Sequence, residues 1–215
     1  MLSAILFDLD GTLVNTDPIH FKTWQTVLSD LEMSIDRQFY DSRISGRTNA
    51  EIVSDILPHL SLEDGLKVAD KKEAQFRELA NELTPLPGLK AVLDWTNQNA
   101  LKQAIVTNAP KANATFMLES LNLKNTFPIV ILAEEAPQGK PHPAPYQMAL
   151  KRLAVSSEKA IAFEDSPSGI KAAVAANIRT FGIASTHDPS ALKEAGAEQV
   201  FTNFTDASLW DILKG

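Results

Sequence analysis

Residues 4–12 have the sequence Ala-Ile-Leu-Phe-Asp-Leu-Asp-Gly-Thr, in which an apolar run ends in two acidic residues and a glycine. The apolar residues are continuous and do not alternate with polar ones. This pattern is typical of a strand that is buried on both faces of a parallel sheet. Similar apolar runs follow at residues 104–106, 129–132, 160–163 and 180–183. We therefore predict that residues 4–7 form the first strand of a parallel sheet.

Amphipathic segments separate the apolar runs and predict helices between the strands. These segments cover residues 89–99, 111–121, 143–153 and 167–176, and the last two begin with proline, which the first turn of a helix accepts. The alternation of strand and helix is the signature of βαβ units. The chain is therefore predicted to have an α/β fold with a doubly wound parallel sheet.

One region of the chain breaks this alternation. Residues 16–83 contain three helical patterns but no convincing strand. The first begins at Thr16 or Asp17 and has an apolar stripe at 24, 27, 28 and 31, and the others cover 50–57 and 63–83. We expect 16–83 to be an inserted all-helical cap, and 1–15 together with 84–215 to form the α/β core. The charge run at 70–73 is expected to be a solvated helix face.

The amino-acid composition excludes several classes of protein and of functional site. The chain has 215 residues, a formal net charge of −7 and no cysteine, which excludes disulfide scaffolds, thiolate metal sites and cysteine nucleophiles. The acidic balance argues against nucleic-acid and anionic-membrane partners. Because no targeting segment or membrane-spanning run is visible, we expect a soluble cytoplasmic protein. We also expect a monomer, because an inserted cap would make a second subunit unnecessary.

Polar side chains follow three of the predicted strands. They are Asp8 and Asp10 after the first run, Thr107 and Asn108 after the second, and Glu164 and Asp165 after the fourth. In doubly wound sheets, ligands bind beyond the carboxyl ends of the strands. We therefore expect these side chains to converge on one crevice, together with Lys140 from the loop Gly-Lys-Pro-His-Pro at 139–143.

Four carboxylates in one crevice repel each other. Two like charges about 4 Å apart cost roughly 4 kcal/mol at an effective dielectric constant of 20, and one lysine cannot offset several such pairs. Either some carboxyl groups are protonated or a divalent cation lies among them. An all-oxygen donor set suits Mg²⁺, while Thr107, Asn108 and Lys140 offer what phosphate oxygens bind.

The sequence around these residues resembles the haloacid-dehalogenase-like hydrolases. The segments 8–13, 107–108, 139–143 and 163–170 are similar to the four motifs of that family, in the same order. The resemblance covers essentially the whole chain, and the branch it most resembles contains β-phosphoglucomutases and sugar phosphatases. It implies a catalytic α/β core with a helical cap that closes over the crevice.

The resemblance also implies a role for each matching residue. Asp8 would be the nucleophile that forms an aspartyl-phosphate, and Asp10 the general acid and base. Mg²⁺ would be held by Asp8, the backbone carbonyl of Asp10, and Asp165, with Glu164 either a ligand or a neighbour. Thr107 and Lys140 would bind the transferring phosphoryl group.

Simpler interpretations of the same residues remain open. The Asp-Leu-Asp-Gly segment at 8–11 could be only a turn, Thr107 a hydroxyl at a strand end, and Lys140 a solvated loop residue. Glu164 could be a surface charge. In the cap, His20 could be structural or lie near the substrate, and Lys72 could match a lysine of the resembling mutases.

Two enzymatic functions and one binding function fit the pattern. A phosphatase transfers the phosphoryl group to water, whereas a phosphosugar mutase transfers it to a sugar hydroxyl. The resembling mutases have an arginine three residues after a cap glycine, where this chain has Asn49 after Gly46, and the neighbouring Arg47 resembles the phosphatases. We therefore expect a phosphatase of a small phosphorylated metabolite, in which His20, Arg47, Asn49 and Lys72 are candidate substrate-binding residues. A phosphometabolite-binding protein without turnover is the third possibility.

Overall fold

The computed structural model describes residues 1–80 and 82–214. The chain divides into two compact units, one formed by Met1–Asn15 with Thr84–Gly215 and the other by Thr16–Leu83. We call the first the core unit and the second the helical unit.

The core unit is built on a six-stranded parallel sheet. Its strands are β1 (Ala4–Phe7), β2 (Lys102–Thr107), β3 (Ile129–Leu132), β4 (Ala160–Glu164), β5 (Arg179–Ile183) and β6 (Gln199–Phe201). Their order across the sheet is β3-β2-β1-β4-β5-β6. This is the predicted α/β fold with a doubly wound parallel sheet, and β1 lies between β2 and β4.

Helices connect the strands of the core unit. They are α5 (Leu89–Gln98), α6 (Lys111–Ser120), α7 (Ala144–Leu153), α8 (Pro167–Ala175), α9 (Pro189–Glu194) and α10 (Ala207–Lys214). Residues of β1 and β2 pack against α7 and α8 in one buried cluster that includes Leu6, Val106 and Tyr146. The aromatic rings of Phe7 and Phe163 stack with their centroids 5.6 Å apart. The apolar runs are therefore continuous because both faces of the central strands are buried.

The helical unit contains α1 (Asp17–Ser29), α2 (Arg37–Arg43), α3 (Asn49–Ile56) and α4 (Leu62–Leu79). It has an apolar core of its own, which includes Trp24, Leu28 and Ile52. Helix α3 begins with a capping box, in which Thr48 and Glu51 bind each other's backbone amides.

The structure adds elements that the sequence patterns do not predict. Strand β6 has three residues, too few for its apolar run to stand out, and α2 and α9 have only seven and six. The expectation that 70–73 is a solvated helix face is wrong for Lys72 and Glu73, which are 2% and 5% exposed. They lie on the same face of α4 as the buried residues Ala69 and Phe76, three and four positions away.

Within the described part of the chain, no helix combines the length and the hydropathy that crossing a bilayer requires.

Candidate active site

The sheet order places three sets of polar side chains beyond the carboxyl ends of adjacent strands. Asp8 follows β1, Thr107 is the last residue of β2, and Glu164 is the last residue of β4, with Asp165 after it. Because β1 pairs with both β2 and β4, these ends are neighbours. The predicted convergence at this edge is what parallel topology requires.

Lys140 is the cation at the centre of this group. Its Nζ donates to Asp8 Oδ1 at 2.6 Å, to Glu164 Oε1 at 2.5 Å and to the Val106 carbonyl at 2.7 Å. Only 4% of Lys140 is exposed. All three ammonium hydrogens are therefore bound by protein acceptors, so Lys140 is not a solvated loop lysine.

Glu164 is held by donors on both carboxylate oxygens. Lys140 and the Tyr146 hydroxyl donate to Oε1, the latter at 2.9 Å, and the backbone amides of Asp165 and Ser166 donate to Oε2 at 3.2 and 3.4 Å. The residue is completely buried, so it is not a surface charge. A Cβ atom at Gly169 would lie only 1.9 Å from the Glu164 carboxyl carbon, so the glycine in α8 makes room for this carboxylate.

Asp165 is buried beside Glu164 but has different partners. The Thr186 hydroxyl, from the loop after β5, donates to Asp165 Oδ2. Asp8, Glu164 and Asp165 each offer one oxygen, and these three oxygens lie within 4.8 Å of one another. The structure thus brings together three of the predicted metal-ligating carboxylates.

Asp10 lies on the loop that follows Asp8. Gly11 has a φ of 80°, in the region that favours glycine, and its amide donates to the Val14 carbonyl at 2.7 Å. The tight loop keeps Asp10 close enough for its charge to raise the pKa of Asp8. Asp10 is partly exposed, whereas Asp8 is buried.

Thr107 and Asn108 differ in what they can offer a ligand. The Thr107 hydroxyl oxygen accepts from the Ala109 amide at 3.0 Å, which leaves its hydrogen for another acceptor. The Asn108 side chain accepts from the Lys140 amide at 3.2 Å and donates to the Lys140 carbonyl at 3.5 Å. Asn108 therefore braces the Lys140 backbone.

The excess of carboxylates shifts the ionisation of the group. Burial raises the pKa of Asp8 to about 8, opposed by Lys140 and reinforced by the charge of Glu164. Burial, together with Asp8 and Glu164, raises the pKa of Asp165 well above its usual range. Burial opposes the charge on Lys140, but Asp8 and Glu164 outweigh it and raise the pKa of Lys140. Protons therefore remain on Asp8 and Asp165 unless another cation compensates them.

The residues present fit a hard divalent cation. The donor set consists of carboxylate oxygens from Asp8, Glu164 and Asp165, with one lysine against them, so a further positive charge would relieve the repulsion. Oxygen donors of this kind suit Mg²⁺.

In the helical unit, three of the candidate substrate-binding residues belong to one cluster. Lys72 Nζ lies 2.7 Å from His20 Nδ1 and 3.0 Å from Glu73 Oε1, and Asn49 donates to the same Glu73 oxygen at 2.9 Å. The His20 ring stacks on Phe76, with centroids 4.2 Å apart. Burial opposes the charge on Glu73, but Lys72, His20 and Asn49 lower its pKa overall.

Arg47 has other partners. It pairs with Asp55 at 2.7 Å and donates to the Arg43 carbonyl at 2.8 Å. Arg43 binds the same carboxylate, and both arginines hold the pKa of Asp55 well below its usual range.

The sequence patterns assign no role to three further residues of the site. Tyr146 lies on α7 among apolar residues and Thr186 lies in a loop outside every motif, while Gly169 belongs to the segment 163–170 but has no role assigned there. Only the packing of α7, of α8 and of the loop after β5 against the strand ends brings them to the carboxylates.

Comparisons with known proteins identify the family of the chain. A family model described as haloacid dehalogenase-like hydrolase matches residues 5–183. The phosphorylated carbohydrates phosphatase of Thermotoga maritima is 32% identical, over 91% of this chain and 92% of the relative. Fructose-1-phosphate phosphatase YqaB of Escherichia coli K12 is 29% identical, over 82% and 93%. The crystal structure of a β-phosphoglucomutase from Clostridium difficile has a TM-score of 0.88 and 26% identity, and the match covers 100% of this chain and 96% of that one.

Proposed function

The chain belongs to the haloacid dehalogenase-like hydrolases, and we propose that it is a Mg²⁺-dependent phosphatase of a small phosphorylated carbohydrate. The observation that carries this proposal is the buried group of Asp8, Lys140, Glu164 and Asp165 at the ends of adjacent parallel strands. It combines a nucleophile, a fixed cation and an oxygen donor set.

In the first step, Asp8 attacks the phosphorus atom and the substrate oxygen leaves. Lys140 holds Asp8 through Oδ1 and so fixes the orientation of the attacking carboxylate. The Thr107 hydroxyl binds a phosphoryl oxygen, and Lys140, whose three hydrogens are held by Asp8, Glu164 and the Val106 carbonyl, stabilises the charge that develops there through its fixed positive charge. Asp10 donates its proton to the leaving oxygen.

In the second step, water hydrolyses the aspartyl-phosphate. Asp10, now ionised, accepts a proton from the water, which attacks the phosphorus and releases phosphate and free Asp8. Its partial exposure suits this role, because a group that exchanges protons with substrate and water needs access to both.

Mg²⁺ would be held by Asp8, Asp165 and the Asp10 carbonyl, with Glu164 as ligand or neighbour, and it supplies charge neutralisation of the phosphoryl oxygens. The protein's own contribution is to keep these oxygens together, buried and oriented.

The non-reacting part of the substrate is assigned to the helical unit. Lys72, His20 and Asn49 form a hydrogen-bonding cluster with Glu73, in which Lys72 is buried and His20 and Asn49 are half-buried, and such polar clusters recognise sugar hydroxyl groups. Arg47 forms an ion pair with Asp55, so we assign it a smaller contribution to substrate binding.

Phosphatase activity is preferred to phosphosugar mutase activity. A mutase has to hold a second phosphate, and position 49 carries an asparagine whose amide is bound to Glu73, not an arginine. The two phosphatases described above also have names that specify phosphorylated sugars as their substrates.

The test is a panel of phosphorylated sugars and short phosphorylated acids, scored for free phosphate with and without Mg²⁺. We expect release that needs Mg²⁺, is abolished by EDTA and is lost in Asp8→Asn. Asp206→Asn is the matched control, because this aspartate caps Ser208 elsewhere in the core unit, and it should keep full activity.

Two outcomes would contradict the proposal. Conversion of a β-sugar 1-phosphate to its 6-phosphate isomer in the presence of trace bisphosphate, without phosphate release, would identify a mutase. Binding of sugar phosphates with no turnover of any compound would identify a binding protein.

A further inference from the structure

The loop that follows β5 contacts the two loops that carry the acidic residues. The Ser185 hydroxyl donates to the Gly11 carbonyl, and the Asn15 side chain donates to the Ser185 carbonyl at 3.3 Å. The next residue, Thr186, donates its hydroxyl hydrogen to Asp165. This loop therefore ties the segment after β1 to the segment after β4.

Thr186 holds the Asp165 carboxylate at a single oxygen. Among the described residues, Thr186 is the one whose side chain binds Asp165 Oδ2, and the Thr186 methyl group lies against Gly11. A Cβ atom at Gly11 would lie 2.0 Å from the same Oδ2 and 3.0 Å from the Thr186 methyl carbon. The Asp165 carboxylate is therefore confined at Oδ2 between Gly11 and Thr186.

His187 fixes the direction of this hydrogen bond. Its Nδ1 lies 2.8 Å from the Thr186 hydroxyl oxygen. When a bound cation keeps Asp165 ionised, its carboxylate can only accept. Because a threonine hydroxyl has a single hydrogen, Thr186 then donates to Asp165 and accepts from His187 Nδ1–H. The imidazole thus orients the hydroxyl towards the carboxylate.

We propose that Thr186 is a positioning residue for the metal site, whose hydroxyl fixes the Asp165 carboxylate in the orientation that binds Mg²⁺. The inference rests on the proposed function, because it requires Asp165 to be a metal ligand. Residues that orient metal ligands through hydrogen bonds typically change metal affinity by 10- to 100-fold when they are removed.

The experiment is calorimetric titration of the purified protein with Mg²⁺, which measures binding without turnover. Thr186→Val keeps the shape of the side chain but loses the hydroxyl, and we expect its Mg²⁺ dissociation constant to rise at least tenfold. Thr186→Ser restores the hydroxyl and should bind within about threefold of the wild type. Thr180→Val is the matched control, because Thr180 lies at the other end of β5, where its hydroxyl binds the Ile178 carbonyl, and this variant should bind normally.

Kinetic measurements distinguish a positioning role of Thr186 from general structural damage in the Thr186→Val variant. For Thr186→Val, the Mg²⁺ concentration that gives half-maximal activity should rise by the same factor, while kcat at saturating Mg²⁺ stays within a few-fold of the wild type. Circular dichroism checks that each variant is folded.

The possible results distinguish a failure of the proposed role of Thr186 from a failure of the proposed function. Equal Mg²⁺ affinity in Thr186→Val and the wild type would overturn the role of Thr186 and leave the proposed function intact. The same holds if Thr186→Ser loses as much affinity as Thr186→Val. A wild type that binds no Mg²⁺ would overturn the metal-dependent function, and the role of Thr186 with it.

Discussion

Replacing the proposed nucleophile should stabilise the protein while it abolishes catalysis. Burial raises the pKa of Asp8 from 3.8 to about 8, so at pH 7 the folded protein holds a proton there that the unfolded chain has lost. Taking up that proton costs 1.36 kcal/mol for each pH unit above 3.8, or about 4 kcal/mol at pH 7. Asparagine has the same shape and no proton to take up, so Asp8→Asn should recover up to about 4 kcal/mol of unfolding free energy.

The sign of the pH dependence follows from the same shift. Between pH 4 and 8 the folded state binds more protons at Asp8 than the unfolded state does, so the stability of the metal-free protein falls as the pH rises. The advantage of Asp8→Asn over the wild type should therefore be small at pH 4.5 and grow towards pH 8. Added Mg²⁺ should narrow the difference, because it stabilises the wild type by binding the folded state.

The assay is urea unfolding in EDTA, followed by circular dichroism at pH 4.5, 6 and 7.5, with Asp206→Asn as the matched aspartate control. Thermal melting gives a second measure, since for a chain of this length 1 kcal/mol corresponds to a shift of about 2–4 °C. If Asp8→Asn unfolds at or below the wild-type midpoint at pH 7.5, the protonation of buried Asp8 does not destabilise the fold, and the reasoning is refuted.

Two further variants test the arrangement around the carboxylates. Lys140→Met removes the ammonium that binds Asp8 and Glu164, so urea unfolding should show a loss of about 3–5 kcal/mol and phosphate release should disappear; an unchanged midpoint would contradict the pairing. Gly169→Ala places a Cβ atom 1.9 Å from the Glu164 carboxyl carbon, so kcat should fall at least tenfold by displacement of that group. Gly65→Ala is the control for steric crowding away from the site, because its Cβ atom would lie 3.0 Å from Val53 in the other unit. It should keep its kcat, and equal losses in both variants would count against a local effect at Glu164.

Much of the sheet could be predicted because its strands satisfy a simple rule. Central parallel strands are buried on both faces, so they appear as continuous apolar runs, and β1 and β4 begin where those runs begin. Since parallel strands end at the same edge, the convergence of Asp8, Thr107 and Glu164 followed from the topology alone. Strand β6 was missed because three residues give no usable period.

The charged residues of α4 show where the patterns fail. A run of alternating charges usually lies on a solvated face, but Lys72 is buried with its ammonium 5.5 Å from the Trp24 ring and bound to His20 and Glu73. Tertiary contacts offset the cost of burying each charge, and those contacts join residues up to 52 positions apart. A local pattern cannot contain that information.

The same distinction explains why the carboxylates of the site are not equivalent. The Glu164 carboxylate is bound on both oxygens by Lys140, Tyr146 and the backbone amides at the start of α8, so protein donors hold it whether or not a cation is present. Asp8 and Asp165 have far fewer donors, and burial raises the pKa of both. A divalent cation that binds them has to displace their protons, so Mg²⁺ affinity should increase as the pH rises towards 8. Burial makes Asp8 and Asp165 costly to ionise, and a divalent cation that compensates their charge removes that cost.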